Sequence, residues 1–157
     1  MGGNVPFRRQ RHRRSRLTKG QISTAMTFTP EEVTYINSQH LARIATVSGD
    51  GQPDVSAVVF DFDGFTFSIG GFNPTNTRRA RNVRDGNDKA ALIIDDLKTI
   101  QPWTPRFIRI YGTAELVDRD GQQILQITPT TSWSMNLTGD WSPGGTADHP
   151  TTRKTEH

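Results

Sequence analysis

Apolar residues fall into short clusters along the middle of the chain, and their spacing separates helix from strand. Val33 and Ile36, with Tyr35 beside them, fit one face of a helix of about two turns. Thr29-Pro30-Glu31-Glu32 marks its start, with a hydroxyl cap, proline at the first helical position and glutamate three residues after the cap. Leu41–Val47 is rich in β-formers and runs into the turn Ser48-Gly49-Asp50-Gly51. Asp54–Phe60, mostly Val, Ala and Phe, predicts a second strand, closed by Asp61-Phe62-Asp63-Gly64. Phe65-Thr66-Phe67-Ser68-Ile69 alternates strictly, which predicts a third strand with its Phe and Ile side chains on one buried face. These three strands are expected to form an antiparallel meander.

Gly70-Gly71-Phe72-Asn73-Pro74 interrupts the ladder, because Gly and Pro cannot continue it. Thr75 to Arg84 then reads as a helix, stopped by Asp85-Gly86-Asn87. Strands are predicted at Ala90–Ile94, Arg106–Val117 and Gln123–Thr128. From Thr138 onward Gly, Pro, Thr and charge dominate, so residues 138–157 are expected to lack fixed structure. Short antiparallel strands with few helices predict a mainly β fold: a six-stranded antiparallel barrel over residues 26–137 with short flanking helices. The absence of repeated βα alternation argues against a parallel nucleotide-binding sheet.

Charge changes this picture at the amino-terminal end. The chain carries a formal +3, but residues 1–25 hold seven basic side chains and no acid. The rest has 12 basic against 16 acidic residues, a net −4. An acid-free, Arg-rich segment fits a nucleic-acid arm or an organelle leader, but it also fits a disordered extension too poor in apolar residues to order itself. The last reading asks least of the sequence, and Met26 offers a start after it. It leaves nucleic acid out of the expected partners. Cysteine is absent, which removes disulfides and thiolate chemistry. No apolar run reaches the ~18 residues a membrane helix needs, and no secretory signal is present, so a cytoplasmic protein is expected.

The segment from Ser68 to Arg84 concentrates the candidate chemistry. A glycine pair at Gly70 lets the backbone approach a ligand closely, and the helix after it offers free N–H groups to an anion. Asn76 and Thr77 add side-chain donors. Arg78, Arg79, Arg81 and Arg84 follow within about two turns with no acid among them. Arginine suits bidentate phosphate contact. The competing reading is a solvated basic face, and spacing alone leaves both open. His12, His40, His149 and His157 are scattered, and no metal site is expected. Asp95 and Asp96 are neighbours on a strand and point apart, so they do not form an acid/base pair. Asn136-Leu137-Thr138 is a glycosylation acceptor by chance match.

A family resemblance enters on Leu41-Ala42-Arg43-Ile44-Ala45-Thr46-Val47, Asp50-Gly51-Gln52-Pro53-Asp54-Val55-Ser56 and Asn76-Thr77-Arg78-Arg79-Ala80-Arg81-Asn82-Val83. It continues through Ala91-Leu92-Ile93-Ile94-Asp95-Asp96, Pro102-Trp103-Thr104-Pro105-Arg106 and Tyr111-Gly112-Thr113-Ala114-Glu115. Over residues 28–137 the chain resembles the pyridoxamine-phosphate-oxidase-like split β-barrel superfamily. Within it the chain is similar to the actinobacterial branch that uses the deazaflavin coenzyme F420. Ile127-Thr128-Pro129-Thr130 with Trp133 resembles the end of a subgroup that includes reductases of tetracycline-type biosynthesis.

The resemblance implies a homodimer with the cofactor in a groove between subunits. It places Arg79 on the cofactor phosphate, often a Lys position in relatives, within Arg79-Ala80-Arg81-Asn82. It sets Ser56 beside the ring system and Ser68 to Gly70 along the phosphate side. Trp103 and Arg106 would reach a cofactor held mainly by the other subunit. FMN is the alternative cofactor, but the Arg-x-Val-Leu-Leu-Lys type segment of FMN-using relatives is missing. The implied activity is an oxidoreductase that moves a hydride from reduced deazaflavin to an electron-poor double bond. No residue is assigned to catalysis; water or Tyr111 would supply the proton. A non-catalytic cofactor carrier is the alternative from a different class.

Overall fold

In a computed structural model of the chain, residues 26–157 are described. The expected basic extension, residues 1–25, lies outside them. Helix α1, Pro30–Ser38, forms as its cap motif requires: the Thr29 hydroxyl accepts the Glu32 N–H at 3.1 Å, and the Glu32 carboxylate accepts the Thr29 N–H at 2.9 Å. Strands β1 (Leu41–Val47) and β2 (Pro53–Val59) form the expected hairpin, with Ile44 opposite Ser56. The expected meander then fails. The chain passes through Phe60 into a two-residue strand β3, Asp61–Phe62, which pairs with β4, Phe67–Ile69. Strand β4 pairs onward with β7, not with β2. Alternation in Phe65–Ile69 could not reveal this, because it reports faces and not neighbours.

A single 3-10 turn at Pro74–Asn76 precedes helix α2, Arg78–Arg84. Three longer strands follow, β5 (Lys89–Leu97), β6 (Pro105–Arg119) and β7 (Gln122–Met135). The hydrogen-bonded order is β2-β1-β5-β6-β7-β4-β3. Its two ends, β2 and β3, are joined by Phe60 alone, so the antiparallel sheet curls back onto itself. Counting β2 and β3 as one bent path gives the six-stranded barrel. Ile44, Phe67, Leu92, Ile94, Ile108, Ile110 and Ile127 fill it, each almost fully buried, and Phe62 stacks on Phe67 with centroids 4.6 Å apart. Phe65, expected inside, is about half exposed.

The expectation of no fixed structure after residue 137 is also corrected. Thr152–Glu156 forms a further strand, β8, on the half of β7 that β4 leaves free, with Trp133 opposite Lys154. Its side chains bury little, which hid it from an apolar pattern. Backbone pairing and two anchors order it instead. Arg153 donates to the buried Glu32 carboxylate at 2.7 Å, and the His157 ring bonds the Ser132 hydroxyl at 2.7 Å while lying 4.4 Å from the Phe28 ring.

At the Leu97–Pro105 end of the β5–β6 ladder, Arg106 donates to both Asp96 oxygens, at 2.9 and 2.5 Å, and lies over the Tyr35 ring. Tyr35 donates a further bond to Asp96 at 3.0 Å. Burial works against the Asp96 carboxylate, but the bonds from Arg106 and Tyr35 outweigh it and hold its pKa below the ordinary carboxylate value. A depressed carboxylate pKa contributes stability above the unfolded value near pH 4, which is lost as pH falls through the folded one. Asp96→Asn is therefore expected to be less stable than the parent at pH 7. The difference should shrink as pH falls below about 4 in urea unfolding. No helix of the described residues is long and apolar enough to cross a membrane.

Candidate functional site

The inward positions of β1 and β2 near their shared turn are polar: Thr46 on β1, and Asp54 and Ser56 on β2. Helix α2 lies against this end of the barrel, and its side chains settle what the basic cluster does. Thr77 caps it, accepting the Ala80 N–H at 3.2 Å and donating to the Pro74 carbonyl at 3.0 Å. The cap thus uses one of the N–H groups that the sequence offered to an anion. Asn82 turns inward and donates to the Thr46 hydroxyl at 2.9 Å, both side chains being buried. Arg79 reaches across to β2 and donates to the Ser56 hydroxyl at 3.3 Å.

The four arginines are not equivalent. Arg78 lies 3.8 Å from Asp54, an acid that is remote in sequence and adjacent in space. Arg84 turns back to the Thr75 carbonyl at 3.0 Å, and Arg81 is exposed. Arg79 differs from these: it is half-buried, its one hydrogen bond among the described residues goes to a neutral hydroxyl, and it forms no ion pair there. Desolvation lowers its pKa, with only a partly offsetting field from Asp54. A half-buried guanidinium that faces a hydroxyl has donors to spare for an anion. Such a group fits a phosphate.

Other predicted residues are placed less directly. Ser68 is buried on β4. Asn76 is exposed in the 3-10 turn. Gly70 has room for a Cβ, whose nearest neighbour would be Ile124 at 3.8 Å, so close approach of its backbone is not enforced there. The left-handed backbone falls instead on Gly71, at φ +108°, and on Asn73. Trp103 is exposed in the loop between β5 and β6, and Arg106 is committed to Asp96. Along the β5–β6 ladder the Asp96–Arg106 pair stands seven residue pairs from Lys89–Thr113, about 23 Å at ~3.3 Å per residue. Within one chain the structure therefore groups Ser56, Thr77, Arg78, Arg79 and Asn82 and leaves Trp103 and Arg106 apart. Thr46 and Asp54 join the group unpredicted. Thr46 was detectable as the hydroxyl that continues the buried series Ala42, Ile44.

Asn82 positions α2 through a buried bond, so replacing it strands the Thr46 hydroxyl. Asn82→Leu is expected to lower stability by about 2 kcal/mol, read from urea unfolding, and to weaken anion binding by displacing Arg79.

The sequence model of pyridoxamine 5'-phosphate oxidase matches residues 28–141, which is most of the chain. The chain belongs to the pyridoxamine 5'-phosphate oxidase family. Within the family, a 5a,11a-dehydrotetracycline/5a,11a-dehydrooxytetracycline reductase from Streptomyces rimosus is 32% identical over 129 residues, 76% of this chain and 90% of the relative. A Listeria innocua protein assigned as a pyridoxamine 5'-phosphate oxidase shares the fold at TM-score 0.53 and 16% identity, covering 64% of this chain and 91% of its own. HutZ, a heme storage protein of Vibrio cholerae, shares it at TM-score 0.52 and 17% identity, covering 66% and 91%. These two likenesses establish the split-barrel fold alone.

Proposed function

We propose that this family member is an F420-dependent oxidoreductase that passes a hydride between the reduced deazaflavin and an electron-poor organic substrate, an enone or quinone. The half-buried Arg79, which bonds the Ser56 hydroxyl and forms no ion pair among the described residues, carries this reading. The reductase relative from Streptomyces rimosus supports the direction of the chemistry. When bound, the deazaflavin would supply the hydride. The chain's own residues would do the rest. Arg79 would hold the cofactor's phosphate, and the exposed Asn76 of the 3-10 turn and Arg81 of the helix would add donors to it. Ser56 would border the ring on the barrel side, and Ser68 to Gly70 the phosphate side. Arg78, paired with Asp54, would fix the helix rather than the ligand.

The groove is completed by a second copy. Val55 and Val59 on the outward face of β2 are 68% and 69% exposed, and Leu41 of β1 lies opposite Val59. An outward sheet face this apolar suits burial against another sheet. Trp103, exposed on the β5–β6 loop, would reach the cofactor held by the other subunit; Arg106 would act there only by releasing part of its hold on Asp96. A dry groove formed in this way protects the hydride and orients the substrate.

The test is a titration of the purified protein with oxidised F420 and, separately, FMN, following quenching of cofactor fluorescence. Saturable binding of F420 that is at least tenfold tighter than FMN is expected, followed by turnover of reduced F420 with a panel of enones and quinones. Preference for FMN would replace the cofactor. Tight binding without turnover on any acceptor would favour a carrier.

A further inference from the structure

Two guanidiniums among the described residues are half-buried and form no ion pair there: Arg79, and Arg109 on β6. Arg43, Arg78, Arg106 and Arg153 each face a carboxylate, Arg84 bonds the Thr75 carbonyl, and Arg81 and Arg119 are exposed. Arg109 is the more isolated of the two, because its Nε is enclosed and has no hydrogen-bond partner. Burying a polar donor without an acceptor costs about 1–3 kcal/mol, and more when the group is charged. The fold keeps Arg109 in that state.

Ile108 and Ile110 point into the barrel, so Arg109 and Tyr111 point out of it. Arg109 stands opposite Trp133 on β7, with its guanidinium 4.3 Å from the Trp133 ring and 5.4 Å from the Tyr111 ring. A cation–π contact of this kind fixes the charge but satisfies no N–H donor. Tyr111 meets Trp133 edge-on at 4.8 Å and is 45% exposed. A β-bulge sets it there: the β6–β7 register shifts between Tyr111 and Gly112, where a Cβ would lie 2.5 Å from the Thr128 carbonyl oxygen. Other cations of this face are matched, Arg43 by Asp95 at 3.2 Å and Lys154 by Glu156 at 2.9 Å. Only aromatic rings hold Arg109.

Arg79 bonds an inward position of β2, and Arg109 stands on the outward face of β6. The two therefore meet only through a second copy, whose groove the outward face closes. We propose that Arg109 and Tyr111 are the catalytic pair for the substrate, presented to the groove of the other copy, with Arg109 on the carbonyl oxygen and Tyr111 as proton donor. This rests on the reading of Arg79 as the phosphate ligand of a deazaflavin, and it narrows the substrate to a flat, ring-conjugated enone that the aromatic shelf can receive. A hydride, with its two electrons, reaches the β-carbon from the reduced deazaflavin. The C=C electron pair moves onto the carbonyl oxygen, and the enolate so formed accepts N–H bonds from Arg109. The Tyr111 hydroxyl then gives its proton to the α-carbon, which restores the carbonyl, and the tyrosinate regains a proton from water. The substrate gains one hydride and one proton across its double bond, and the cofactor is oxidised.

The test uses 2-fluoro-4-nitrophenol, whose phenolate mimics the enolate oxygen, with the full chain loaded with oxidised F420. Fluorine NMR follows the probe below and above its own pKa, and quenching of F420 fluorescence reports cofactor binding independently. The phenolate is expected to bind at least about tenfold tighter than the neutral phenol, the worth of one charge-assisted bond. Arg109→Met, which keeps the stem on Trp133, should abolish that preference with the Kd for F420 and the sedimentation coefficient as in the parent, and Arg109→Lys should restore part of it. Tyr111→Phe should keep the preference and lower kcat for an aryl enone at unchanged KM. F420 binding without a phenolate preference, or a preference that survives in Arg109→Met, overturns this assignment and leaves the Arg79 reading standing. An Arg109→Met chain that sediments as a smaller species than the parent also overturns it, because the guanidinium would then hold the two copies together. A parent that binds no F420 overturns the Arg79 reading, and the assignment falls with it.

Discussion

Replacing Arg79 by Glu is expected to raise the Kd for F420 by about 100-fold. The magnitude follows from one charge-assisted contact of about 1.5–3 kcal/mol and the repulsion the new carboxylate adds, at about 1.4 kcal/mol per tenfold. Arg79→Lys, which keeps charge and loses the planar fork, should fall between Glu and the parent. The folded protein gives Arg79 one long bond, 3.3 Å to the Ser56 hydroxyl, and no carboxylate partner among the described residues. A residue placed for stability would have one. Arg79→Met, which keeps the apolar stem, should therefore leave the melting temperature unchanged or slightly higher while binding falls. That split separates a ligand-holding arginine from a structural one. A parent-like F420 affinity in Arg79→Glu would remove the basis of the proposed site.

Most of the barrel was legible because strands and helix caps are written in local pattern. The capping box at Thr29 and Glu32, the β1–β2 hairpin and the alternating Ile108 and Ile110 of β6 all follow from residues within a few positions of one another. Strand partnership is not local. The pattern could show that Phe67 and Ile69 are buried, but not that β4 leaves β2 and completes the sheet against β7. Charge accounting failed for a similar reason. Arg78 to Arg84 contain no acid in sequence, yet the fold brings Asp54 to Arg78 and leaves Arg79 without an ion-pair partner among the described residues. The four arginines look alike on a helix diagram, and only their tertiary neighbours tell them apart. Trp103 and Arg106 were grouped with Arg79 through family likeness, and within one chain they stand at the far end of the β5–β6 ladder. A shared site would need the second subunit.

The carboxyl-terminal segment failed for another reason: its order rests on one buried acid that the sequence shows only as a helix cap. Glu32 is 2% exposed, and its carboxylate accepts the Thr29 N–H at 2.9 Å, the Ser134 hydroxyl at 3.0 Å and Arg153 at 2.7 Å. It joins α1, β7 and β8 at one point. Arg153 also reaches the Thr27 carbonyl at 3.3 Å, so β8 clasps the segment that leads into α1. Removing one partner of a buried pair costs about 3 kcal/mol or more, because the groups left behind lose their acceptor. Arg153 is 39% exposed and regains water, which places Glu32→Ala at the lower end, about 3 kcal/mol. For a domain of this size the melting temperature should drop by about 6–12 °C. Hydrogen exchange should show β8 and the first turn of α1 losing protection together, with the β5–β6 ladder retained. Arg153→Ala should reproduce the loss at β8 and leave Glu32 bonded to Ser134, with a smaller fall in melting temperature. Should Glu32→Ala melt with the parent and keep β8 protected, backbone pairing to β7 would suffice to hold the strand, and the clasp would carry no part of the fold's stability.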